Sequence, residues 1–300
     1  MKFTHRALVL TTGALLLASV SWVFAGGGIT PIAISRLSSG EVCILDSRRG
    51  IFRFNMGTHK AVQLVNGFGI FQALDLVVAP LGGTESIFIS KASDVESVGA
   101  RLVMYNLAGR EVGAWPLPRW KGPCSGVAVD PQASVAYVAS IQTGEIFKVD
   151  LLKPGSTGVP FTSLSQAEAR GPIIFDRSRG RLLVGDGSRG TIFSVATDSG
   201  RSEILTKGLG EPSALLLDAK EEQLFIADAS GRRVWIFDLK SNRKVAKEVA
   251  KARVFIESKE LNEPSGLALA GDGDLLVSDS RGRALFQVSK EGKIVYTHRF

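Results

Sequence analysis

Residues 263–289 read EPSGLALAGDGDLLVSDSRGRALFQVS, and residues 211–237 read EPSALLLDAKEEQLFIADASGRRVWIF. Both stretches open on a Pro-Ser-small triplet. An apolar run follows, then a polar turn such as Gly271-Asp272-Gly273, then a second run (Leu275-Leu276-Val277). An Asp-containing turn leads into a third run that ends near Phe286 and Val288. The runs are short, rich in branched and aromatic residues, and bounded by Gly, Asp and Ser, which is the pattern of strands joined by hairpins.

Weaker copies precede these two. DSRRGIFRF (46–54) and DGSRGTIFSV (186–195) match DSRGRALFQV (279–288), and SIQTGEIFKV (140–149) follows the same plan. Asp46, Ser90, Ser140, Asp186, Asp228 and Asp279 mark the ends of six second strands, spaced 42 to 51 residues apart. A fourth strand closes most copies, as in AVQLV (61–65), EVGAWPL (111–117), SEILT (202–206) and KIVYTHRF (293–300). A four-stranded unit cannot bury both faces of its own sheet. Six of them stacked radially can, so the predicted fold is all-β: a six-bladed β-propeller of four-stranded antiparallel blades. A β-sandwich is the competing arrangement, and the repeated Asp-Ser-Arg-Gly turn speaks against it.

The succession Pro-x-Gly, apolar run, Asp, then Arg and a further apolar run resembles the NHL repeat, with EPSGLALAGDGDLLVSDSRGRALFQV as its best copy. The resemblance covers most of residues 29–300 and implies the broad group of six-bladed propellers. That group includes gluconolactonase-like and strictosidine-synthase-like proteins as well as non-catalytic NHL modules. In the gluconolactonase-like family, acidic or amide side chains at the blade openings bind a divalent cation. The openings here are read as Ile32, Gln72, Ser125, Ile173, Ser213 and Ser265. None is acidic, and a hard cation needs several oxygen ligands, carboxylates among them. No metal and no cofactor are therefore expected. Glu211 and Glu263 precede the openings and either turn inward or face solvent.

Other catalytic patterns are missing as well. The chain has three histidines, too few for a typical zinc site unless His59 and His298 meet across neighbouring blades. Ser213 and Ser265 have no evident base. Phosphate loops, nucleophile elbows and dinucleotide fingerprints do not occur.

The second-to-third turns carry arginines instead: Arg48 and Arg49, Arg189, Arg232 and Arg233, and Arg281 and Arg283. Two readings stand. Each guanidinium is held by the turn aspartate of its own or the next blade, or the arginines form an anion-binding face. The ligand-binding candidates are accordingly Gln72, Ser125, Ser213, Ser265, Arg48, Arg189, Arg232 and Arg281. Phe68, Ile70 and Phe71 either rim a pocket on that face or pack beneath the loop.

Lys2 and Arg6 lead an acid-free apolar stretch, Ala7 to Ala25, which reads as a signal peptide over residues 1–25. Its removal lowers the formal net charge of +7 by the two units of those residues. The expected product is secreted or periplasmic and touches the membrane only through the signal segment; an uncleaved anchor is the alternative. A moderately basic exported chain is expected to meet an anionic small molecule, a glycan or a protein, and not nucleic acid. Cys43 and Cys124 fall in blades 1 and 3, too far apart for a bridge, and are read as separate buried thiols. Residues 240–253, rich in Lys and Ala, interrupt blade 5 with a short helix. Three functions fit: non-catalytic binding of a ligand or protein on the Arg- and Ser-bearing face, a lactonase-like hydrolase, or a structural part of an envelope assembly.

Overall fold

The computed structural model describes residues 28–300 except 47, 68–72, 93–98, 118–123, 141–142, 165–170 and 241–250, and except the side chains of residues 124 and 125. The expected signal peptide, the helix around residues 240–253, Gln72 and the side chains of Cys124 and Ser125 thus lie outside the described residues, wholly or nearly so.

Among the described residues, twenty-four strands form six sheets of four, each antiparallel and each built from consecutive strands. Blade 1 uses residues 33–66, blade 2 76–117, blade 3 124–163, blade 4 173–207, blade 5 212–257 and blade 6 264–299. Asp46, Ser140, Asp186, Asp228 and Asp279 each end a second strand, and Ser90 lies one residue before such an end.

The strand pattern explains the stacking. In Val42–Asp46 every residue is buried, because the two faces of the sheet meet different neighbours. Cys43 and Leu45 pack with Ile87 and Ile89 of blade 2. Val42 and Ile44 pack with Leu276 and Leu285 of blade 6. The same arrangement recurs around the ring, giving one apolar cluster in each of the six gaps between blades. Fully buried aromatics such as Trp115, Phe147 and Phe286 anchor them; truncating one to Ala costs about 3–5 kcal/mol.

Among the described residues, blades 6 and 1 share no strand, so side-chain packing and side-chain hydrogen bonds close the ring. Phe54 of blade 1 meets Phe300 edge-on at 5.3 Å and His298 at 4.7 Å. His59 and His298 do come together here, 5.5 Å apart. They stand on the outer part of the seam with no third His, Cys, Asp or Glu among the described residues to complete a metal group. Burial, and next the charge of His59, hold His298 below the ordinary histidine value.

Candidate functional site

Antiparallel order places the second-to-third turns and the links between blades at one end of the molecule, where the inner strands begin. The axial tunnel opens among them. Its cavity of about 170 Å³ is lined by the inner strands of all six blades, including Ser35, Asp75, Val127, Ile173, Ser213 and Ser265.

Strand register corrects the reading of the blade openings. Leu76 pairs with Ile89, Ala214 with Ala227 and Gly266 with Ser278, each partner lying one residue before the anchor position. The opening of blade 2 is therefore Asp75 and not Gln72. Blade 4 shifts as well: Ile173 pairs with Val184, two residues before Asp186, so Gly171 takes the opening. In blades 3, 5 and 6 the opening residue sits in a β-bulge, which frees it from the ladder, and in blades 5 and 6 its side chain reaches the next blade.

These residues knit the ring. Ser213 Oγ donates to the Pro264 carbonyl at 2.6 Å, joining blade 5 to blade 6. Ser265 Oγ donates to the Pro31 carbonyl at 2.6 Å, joining blade 6 to blade 1. Asp75 does the same with reversed polarity: Oδ2 accepts the Val127 N–H of blade 3 at 3.0 Å, and Oδ1 accepts its neighbour Leu76 N–H at 2.8 Å. The surface that Asp75 retains faces the tunnel lumen and not open solvent. Burial pushes its carboxyl up to about 7, against the opposing pull of those two amides.

The turn aspartates chiefly hold backbone amides, though Asp186 and Asp228 also stand 3.9 and 3.8 Å from Arg189 and Arg233. Asp46 takes the amides of Arg48, Arg49 and Thr30. Asp279 takes those of Asn262, Glu263 and Gly282. Asp228 takes Gly210, Glu211 and Gly231 and the Trp235 indole. Each is 2% exposed or less and staples its own turn to the chain entering its blade. For Asp228, burial pushes the carboxyl up, but the Glu211 amide, the Trp235 indole and the further amides together hold it below the ordinary value.

With the aspartates committed to amides, most of the arginines are left without an acid. Among the described residues Arg48, Arg232, Arg281 and Arg283 are exposed and pair with no carboxylate. Arg189 stands 3.9 Å from Asp186, a long contact, and is half exposed. Arg233 is the structural exception, 3.4 Å from Glu257 and stacked over Trp235 at 5.2 Å. Arg49 lies over the Phe52 ring at 5.6 Å. Among the described residues, position five of the turn is left-handed in five blades, occupied by Gly50, Gly144, Gly190, Arg232 and Arg283. Two arginines thus sit where glycine is at ease, at about 1–2 kcal/mol each. Glu211 and Glu263 are exposed and do not turn inward; Glu263 accepts the Ser280 hydroxyl at 3.0 Å. Cys43 is free and buried, and burial pushes its thiol up to about 12.

The cation implied by a gluconolactonase-like resemblance does not suit these openings. Asp75 is the one carboxylate, and both its oxygens hold amides. Ile32 and Gly171 offer no oxygen from their side chains, and the hydroxyls of Ser213 and Ser265 already donate to carbonyls. A hard cation wants six or more oxygens.

Solved structures with the same fold include the nidogen/laminin complex, matched at a TM-score of 0.66 and 19% identity over 87% of this chain and 93% of the other. Streptogramin B lyase matches at 0.64 and 12% identity over 92% of this chain and 85% of the other. Virginiamycin B lyase from Staphylococcus aureus matches at 0.62 and 12% identity, covering 90% and 84%. At such identities these likenesses show the fold alone. A search of curated sequences found no match. Residues 95–300 match the SMP-30/gluconolactonase/LRE-like region, and the chain belongs to that family.

Proposed function

We propose that this propeller is a non-catalytic binding module, exported by its apolar N-terminal stretch, whose arginine-bearing face takes an anionic ligand or an acidic protein surface. The carrying observation is that, among the described residues, Arg48, Arg232 and Arg281 pair with no carboxylate, beside buried aspartates that hold backbone amides. Guanidinium groups free of local acids are available to carboxylate, phosphate or sulfate. The strained arginines at turn position five support the same reading, since a purely structural turn is better served by glycine. A protein-binding use agrees with the propeller seen in a nidogen/laminin complex. Arg281→Ala tests the reading: retention on an anionic resin should fall while the melting temperature holds. Unchanged retention with lost stability would refute it.

A hydrolase is the second reading, favoured by Asp75 and by family membership. A carboxyl near 7 in a tunnel is suited to general acid or base work at neutral pH. Lactone hydrolysis that disappears in Asp75→Asn, with the fold intact, would place this reading first.

A further inference from the structure

The tunnel has a second mouth, at the end where the first-to-second strand turns lie. An open cavity of about 390 Å³ stands there, lined by Arg36, Leu37, Leu216, Leu267 and Leu269, with Glu85 at one side. The leucines come from blades 1, 5 and 6. Leu37 and Leu267 are buried, while Leu216 and Leu269 keep some surface toward the opening.

Arg36 is the unusual member. It is partly buried, and among the described residues its guanidinium has neither a carboxylate nor a hydrogen-bond acceptor. Its head lies against the turns of blades 1 and 6: a Cβ built on Gly271 would stand 3.0 Å from Nη2, and one on Gly40 3.8 Å. The glycine of the blade 6 turn therefore leaves room for the guanidinium, while Gly40 lies at ordinary contact distance. Glu85 does not neutralise it. That carboxylate receives the Ser38 N–H at 2.9 Å and the Ser38 hydroxyl at 2.6 Å, across the seam between blades 1 and 2. A partly buried cation with no acid beside it is well matched to a bidentate oxyanion.

We propose that this second mouth binds a small apolar carboxylate, its head on Arg36 and its hydrocarbon part against Leu37, Leu216, Leu267 and Leu269. A charged head beside a leucine-lined hollow matches an amphiphile of this class better than a sugar or a phosphate, which would leave the leucines uncovered. The site is separate from the arginine-bearing face and does not depend on the reading given to that face.

Calorimetric titration with octanoate tests it, using the protein without its first 25 residues. Octanoate should bind once per chain, and the alcohol of the same chain length at least about tenfold more weakly, since it lacks the charge-assisted pair. Arg36→Gln should weaken octanoate by a similar factor without lowering the melting temperature, because among the described residues the Arg36 guanidinium makes no ion pair or hydrogen bond. Arg36→Lys, which keeps the charge but loses the fork, should fall between. Arg110→Ala, at the exposed turn between the third and fourth strands of blade 2, should bind octanoate as the parent does. No saturable binding by the parent, equal binding by Arg36→Gln, or loss of binding in Arg110→Ala would each overturn the assignment.

Discussion

Replacing Asp75 by Asn should stabilise the protein at neutral and alkaline pH and leave it little changed near pH 5. A carboxyl moved from 3.8 to about 7 has its charged form disfavoured in the fold by about 4 kcal/mol, at about 1.36 kcal/mol per pH unit. The tunnel admits water to the carboxylate, so the realised effect is smaller, on the order of 2 kcal/mol. The sign follows from proton counting. Between pH 4 and 7 the folded chain holds the Asp75 proton while the unfolded chain has lost it, so stability falls as pH rises through that window. The variant has no proton to lose. Its amide oxygen can still accept the Val127 N–H, but its NH₂ then faces the Leu76 N–H, costing about 1 kcal/mol. Thermal unfolding from pH 5 to pH 8 is the assay. The parent's midpoint should fall toward pH 8 by several degrees more than the variant's, taking about 2–4 °C per kcal/mol. Parallel profiles, or a variant weaker at pH 8 than at pH 5, would show that Asp75 is ionised comfortably and that the tunnel is wetter than the geometry implies.

Ser265→Ala removes the 2.6 Å bond that ties blade 6 to blade 1 and strands the Pro31 carbonyl; urea unfolding should show a loss of about 1–3 kcal/mol. The same change at Ser213 opens a seam that the chain itself still spans, so there proteolytic susceptibility should rise less. In a Cys124→Ser background, Cys43 should resist alkylation at pH 8 until the protein unfolds, since its thiol is buried and pushed up to about 12; rapid labelling of the native state would contradict this.

The architecture was legible because repetition is. Any one of the Asp-Ser-Arg-Gly turns is weak evidence, but six anchors at near-regular spacing fix where the second strands end, and the blades follow. Register within a blade was harder. Blade 2 lacks the Pro-x-Gly opening, and aligning on Phe71-Gln72-Ala73 passes over Asp75. A signal was present: Leu81 and Thr84 pair across the two-residue turn Gly82-Gly83, and counting pairs back from that turn reaches Leu76 opposite Ile89. The amide-holding role of the turn aspartates is legible only from local backbone chemistry. An Asp two or three residues before free amides folds back on its own backbone, a local preference that outcompetes a distant guanidinium. What neither repeats nor composition reveal is the second mouth, because Arg36, Leu216 and Leu267 meet only when blades 1, 5 and 6 converge on the axis.

The central claim concerns the arginines, and calorimetric titration with a sulfated glycan oligosaccharide, comparing the parent with the Arg48→Ala, Arg232→Ala, Arg281→Ala triple variant, addresses it most directly. Binding by the parent should weaken as salt rises, and the triple variant should bind at least about tenfold more weakly while unfolding at nearly the same temperature. Equal affinity in both proteins, or no binding by the parent at low salt, would contradict the account.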